Sequence, residues 1–109
     1  MCNHDARLLP EELTGADGVA APWRFDRVLC DVPCSGDGTI RKDASVLPRW
    51  TPGVGNALHA TQLAIAWRGL ELLRVGGLLC YSTCSLNPIE DEAVVAALLG
   101  RAAGAVELE

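Results

Sequence analysis

"VLCDVPCS", Val28 to Ser35, decides how this chain is read. Val28, Leu29 and Cys30 form an apolar run that ends at Pro33, which predicts a strand over "FDRVLCDVP". Further on the chain writes "LLCYSTCS", Leu78 to Ser85, again apolar, Leu, Cys, three residues, Cys, Ser. "LLCYSTC" therefore reads as a second strand. Between them, "ALHATQLAIAWRGLELLRV" puts Leu58, Leu63, Trp67 and Leu70 at helical spacing, with Gly76-Gly77 as the expected stop. After the second strand, "NPIEDEAVVAALLG" carries helix signals. Asn87 suits the N-cap and Pro88 the first helical position, and Glu90 can complete a capping box. Glu90, Asp91 and Glu92 suit the positive end of the dipole, and Gly100 the end of the helix.

The order strand, helix, strand, helix predicts an α/β domain with parallel strands and crossover helices. Continuous apolar strands predict a sheet covered on both faces. Residues 1–24, punctuated by Pro10, Gly15, Gly18 and Pro22, read as loop with a short helical turn. "CSGDGTIRKDASVLPRWTPG" reads as a long loop, and loops of that length in compact domains are usually functional. Two strands make a poor sheet alone. Either the first 24 residues add a strand or the chain is part of a larger domain.

With 109 residues and half of them hydrophobic, the chain can bury one small core. The net charge of -5 lacks the basic surplus of an autonomous nucleic-acid binder, so any RNA contact must be local or shared. Arg41, Lys42 and Arg49 are the basic residues of the long loop; Arg41 and Lys42 would meet either RNA phosphates or solvent alone. "MCNHDARLLP" has no apolar core of a signal peptide, and no apolar run reaches membrane-spanning length. Five cysteines is an odd count, which suggests free thiols in a reducing, intracellular compartment.

Three accounts of the doubled cysteine frame compete. An internal repeat fails past the second Ser, because "GDGTIRKD" is a glycine-rich loop and "LNPIEDEA" opens a helix. A zinc-bound structural domain would need all four thiolates to converge, although Cys30 and Cys80 sit inside apolar strands as core residues. The third account is geometric. Neighbouring parallel strands end at one edge of the sheet, so Cys34 and Cys84 would face one crevice. Cys84, three residues before Asn87, would also feel a helix N-terminus. Either thiol could instead be inert.

"DVPCSGDGT" and "YSTCSLNPIEDEAVV" resemble the two cysteine motifs of the Sun-domain (Fmu/Sun-type) RNA cytosine-5 methyltransferases, and "NHDA", Asn3 to Ala6, is similar to an earlier, weaker motif. The phrasing is nearest to the eukaryotic members that modify tRNA at several positions. The resemblance implies a Rossmann-like fold, S-adenosylmethionine as cofactor, RNA (tRNA) as partner and a nuclear or nucleolar address. It assigns the nucleophile to Cys84 and product release to Cys34. Asp31 would lie near cofactor and target base, and Asp5 against the adenosine of the cofactor. The chemistry suits these residue types, because a thiolate adding to carbon 6 of cytosine makes carbon 5 enamine-like, and a second thiol can act as general acid or base.

The family's earlier glycine-rich cofactor motif has no counterpart: "LTGADGVAAP" follows "NHDA" and no convincing strand. Residues 1–109 are therefore expected to be an incomplete catalytic domain, its second half, unable to methylate RNA unaided. A catalytically inactive binding or regulatory module is the alternative.

Overall fold

A computed structural model describes residues 3–109. Its centre is a pair of parallel strands, β3 (Phe25–Asp31) and β4 (Leu73–Ser82), joined by helix α1 (Pro52–Glu71) and followed by helix α2 (Glu92–Ala102). A separate antiparallel hairpin, β1 (Glu12–Thr14) with β2 (Ala20–Pro22), precedes them. The described residues thus form part of a Rossmann-like α/β fold. The first 24 residues do supply strands, but these pair only with each other.

One face of the β3–β4 pair is packed and the other is open. Successive side chains of a strand point to opposite faces, and Cys30 and Val32 are buried on the helix side while Leu29 is 69% exposed on the other. Leu78 and Cys80 of β4 are exposed as well. The expectation of a sheet covered on both faces is corrected, and so is Cys80 as a core residue; Cys30 alone fills that role. The core lies between the helices: Ala66, Val94 and Leu98 are buried, with Leu63, Trp67, Leu70 and Tyr81 packed around them. The guanidinium of Arg101 lies 3.9 Å over the Trp67 ring and ties α2 to α1. Gly69 of α1 backs directly onto β3: a Cβ there would lie 2.8 Å from Cys30 Sγ and 2.9 Å from Leu79 Cδ1.

Four boundaries differ from those predicted. Helix α1 begins at Pro52, a residue suited to the first turn because its missing N–H would have no partner there. It ends before Gly76-Gly77, and those glycines belong to β4. From Phe25 to Arg27 the paired residue moves from Leu73 to Leu78, so Arg74–Gly77 bulge out, with Gly76 at φ 77°. Helix α2 begins at Glu92, and Asn87 caps the preceding turn instead, accepting from Ile89 N–H at 3.1 Å. At its far end α2 passes Gly100 and stops at Ala103, which is left-handed at φ 50°. The long loop holds two 3-10 turns, Asp37–Thr39 and Ala44–Val46. Among the described residues, no helix is long and apolar enough to cross a membrane.

Candidate active site

Because β3 and β4 run the same way with Asp31 level with Ser82, their chains leave the sheet at one edge. Val32 N–H donates to Ser82 C=O at 3.1 Å and carries the pairing one residue further. Pro33 then turns the chain, and Cys34 meets Cys84. Their sulfurs are 3.0 Å apart, and Cys84 N–H donates to Cys34 Sγ at 3.3 Å. A disulfide would bring the sulfurs to about 2.0 Å, so these are two free thiols in contact. The approach needs a glycine at position 38: Gly38 N–H donates to Cys84 C=O at 3.0 Å, and a Cβ on Gly38 would sit 2.8 Å from that oxygen.

The two thiols are not equivalent. Cys84 is exposed and Cys34 half-buried. Burial pushes the Cys34 thiol up to about 11, and its hydrogen bond to Cys84 acts in the same direction. Cys34 therefore keeps its proton at neutral pH, and the contact between the sulfurs admits either one as donor. The expected help to Cys84 from a helix dipole is corrected. Helix α2 starts at Glu92, and the dipole's influence fades within the first turn.

Asp31 stands exposed at the end of β3 and accepts from Ser82 Oγ at 3.1 Å. Asp5 caps the turn Ala6–Leu8, which packs against α1. Its carboxylate is taken up by Arg7, with the ion pair at 2.6 Å, and the Arg7 hydrogen bonds hold its carboxyl down at about 2. The structure thus brings Cys34, Cys84 and Asp31 to one edge, while the side-chain bonds of Asp5 go to Arg7. Arg41 and Lys42 are exposed beyond the first 3-10 turn.

Sequence reasoning missed Glu90. It does not reach back to complete a capping box; it turns inward and is fully buried. Oε1 accepts from Ser35 N–H at 2.8 Å and Gln62 Nε2 at 3.0 Å. Oε2 receives the Ser35 hydroxyl at 2.5 Å and the Asn87 amide at 3.2 Å. Ser85 Oγ bridges Glu90 Oε2 at 2.9 Å and Asp37 Oδ1 at 2.6 Å. Burial by itself raises the Glu90 carboxyl, but the donors from Ser35, Ser85 and Gln62 outweigh it and leave it below the usual range. Ser35 and Ser85 are the residues that follow the two cysteines, so the signal lay in the second shared letter of the repeated Cys-Ser frame.

The described residues do not make a complete pocket for a nucleoside cofactor. Of the two carboxylates assigned to it, that of Asp5 is occupied by Arg7. The glycines after β3 are committed elsewhere, Gly36 to a turn at φ 76° and Gly38 to the contact with Cys84. Nor do the four strand-frame cysteines converge on a metal, since buried Cys30 and exposed Cys80 lie on opposite faces of the sheet.

A parallel α/β pair thus sets an exposed thiol against a half-buried one at its carboxyl edge, the edge where open α/β sheets bind their ligands. Comparison with known proteins gives the family. The family described as "16S rRNA methyltransferase RsmB/F" matches residues 1–109, and the chain belongs to that family. It is 50% identical to a tRNA (cytosine(34)-C(5))-methyltransferase of Drosophila melanogaster, over 97% of this chain and 14% of that protein. It is 56% identical to a multisite-specific tRNA:(cytosine-C(5))-methyltransferase of Saccharomyces cerevisiae, over 89% of this chain and 14% of that one. The crystal structure of PH0851 superimposes with a TM-score of 0.67 at 32% identity, over 70% of this chain and 17% of that one. The chain thus spans well under a fifth of the length of these relatives.

Proposed function

We propose that this chain carries the thiol-bearing part, the second half, of the catalytic domain of an RNA cytosine-5 methyltransferase acting on tRNA. The contact between an exposed Cys84 and a half-buried Cys34, 3.0 Å apart at the carboxyl edge of a parallel pair, carries this reading. The names of the relatives support the substrate class.

The target cytosine must be unpaired or flipped for its ring to reach the thiols. Cys84 as thiolate then adds to carbon 6, forming an S–C6 bond and making carbon 5 nucleophilic, the property that methylation at that carbon requires. In the release stage a base removes the proton on carbon 5, the S–C6 bond breaks and its electron pair returns to sulfur. Cys34 is positioned to act as acid or base at that sulfur. Asp31, exposed at the same edge, can hydrogen-bond the cytosine edge and stabilise the protonated ring during attack. S-adenosylmethionine is the methyl donor that the family resemblance implies. With no complete pocket for it here, the isolated chain is expected not to methylate tRNA, and turnover with labelled cofactor would refute that.

The test of the thiol roles is capture of RNA containing 5-azacytidine, whose position 5 is a nitrogen with no carbon-bound proton to eliminate. A covalent complex with the wild-type chain, kept in Cys34→Ala and lost in Cys84→Ala, is the expected pattern. Capture that survives Cys84→Ala would contradict it. A second reading, a module that binds RNA or the full enzyme without catalysis, is favoured by the missing cofactor cradle. Pull-down of RNA without any covalent capture would support it.

A further inference from the structure

We propose that Glu90 is a positioning residue for the thiol pair: its buried carboxylate ties the segment carrying Cys34 to the segment carrying Cys84, and so holds the two sulfurs in contact. The proposal rests on the thiol reading above and adds how the two thiols are kept together.

Register alone does not fix the sulfurs. It ends at Val32 and Ser82, and both cysteines lie beyond it in irregular chain. Beyond the bond from Gly38 N–H to the Cys84 carbonyl, the two segments are joined there by the bonds converging on Glu90 and its neighbour Asp37. On the Cys34 side, Glu90 accepts from the backbone and hydroxyl of Ser35. On the Cys84 side, it meets the hydroxyl of Ser85. Gln62 of α1 uses one amide nitrogen for both Glu90 Oε1 and the carbonyl of Pro33, each at 3.0 Å, so the residue before Cys34 is held as well. Asp37 closes the frame, accepting from Ser85 Oγ at 2.6 Å and from Leu86 N–H at 3.1 Å. Tyr81 O–H donates to the Glu90 carbonyl at 2.6 Å and fixes the turn on which Glu90 stands.

The space around Glu90 is shaped for this. Gly55 of α1 is buried against it, and a Cβ there would lie 2.8 Å from Glu90 Oε2 and 2.2 Å from Asn87 Nδ2. A carboxylate suits this place because its two oxygens offer about four lone-pair sites and carry no proton, matching the Ser35 N–H, the Ser35 hydroxyl, Gln62 and Asn87, while the single hydroxyl proton of Ser85 is shared with Asp37. Glutamine at position 90 keeps the size but turns an amide N–H₂ toward groups that are themselves donors.

The test needs neither RNA nor cofactor. The reduced chain is equilibrated in glutathione buffers, and the Cys34–Cys84 disulfide is measured by mass spectrometry of its peptides. Two thiols lose two protons and two electrons as glutathione disulfide is reduced to two glutathiones, so the constant reports how often the sulfurs meet. Glu90→Gln is expected to lower that constant at least tenfold and to bring the alkylation midpoint of Cys34 down toward the ordinary thiol range. Leu98→Ala, which weakens the core away from the site, is expected to change the constant less than twofold. Should Glu90→Gln fail to fold, Ser35→Ala and Ser85→Ala are each expected to lower it about threefold. An unchanged constant in the variants that fold, or an equal fall in Leu98→Ala, overturns the proposal. Loss of RNA capture with a normal thiol constant would instead count against the proposed function.

Discussion

The two Cys-Ser segments begin with the same letters and end as different structures. After Ser35 the chain makes a glycine turn, two 3-10 turns and a long path to Pro52. After Ser85 it makes one short turn and enters α2. The first segment wraps its cysteine and leaves Cys34 half-buried; the second leaves Cys84 open to solvent. Similar local sequence thus supplies two thiols in different surroundings, and the difference comes from what covers each one.

The largest expected effect separates the two sulfurs directly. With its thiol near 11, Cys34 is thiolate in only about one molecule in a thousand at pH 8. Since the thiolate is the reactive form and Cys34 is also half-buried, Cys84 is expected to react with iodoacetamide about tenfold faster or more, as peptide mapping over time would show. Equal rates would break the comparison. In Cys84→Ala the Cys34 midpoint should fall but stay above the ordinary range, because burial is the larger of its two causes. The same shift has a stability sign. A thiol raised on folding favours the folded state below its ordinary pKa, and that preference disappears as the pH climbs through the ordinary thiol range to about 11. Thermal melts across that alkaline window should show the loss.

Glycines sharpen the comparison. Gly38→Ala puts a methyl against the carbonyl of Cys84, backbone that cannot swing aside, and is expected to cost about 1–3 kcal/mol by denaturant unfolding. Gly100→Ala in α2 meets open space and is expected to stabilise the chain by about 1 kcal/mol. The smallest effect belongs to the far side of the comparison, Asp5. Arg7→Gln should let the Asp5 carboxyl rise from about 2 toward the ordinary range in an NMR titration, with no resolvable change in melting temperature, because the pair is exposed.

Much of this was legible in the chain. Two apolar runs with a helix between them imply parallel strands, and parallel strands imply a shared edge, so Cys34 and Cys84 could be paired without coordinates. The open face was not legible, since Leu29 and Leu78 look like core residues wherever they stand. Pro52 and Gly76-Gly77 misled because each serves an element it usually interrupts: proline in the first turn of a helix, glycine in a strand bulge. Glu90 was hidden because an acid near a helix start is ordinarily a solvated charge, and only the fold shows two serines from distant segments pointing at it.

The central claim is that Cys34 and Cys84 form one dithiol. The most direct measurement is binding of phenylarsine oxide, which bridges two neighbouring thiols with loss of water, to the reduced chain and its single variants. One equivalent should bind tightly to the wild type, Cys30→Ala and Cys80→Ala, and the tight binding should vanish in both Cys34→Ala and Cys84→Ala. Tight binding that survives either of those last two substitutions would contradict the account.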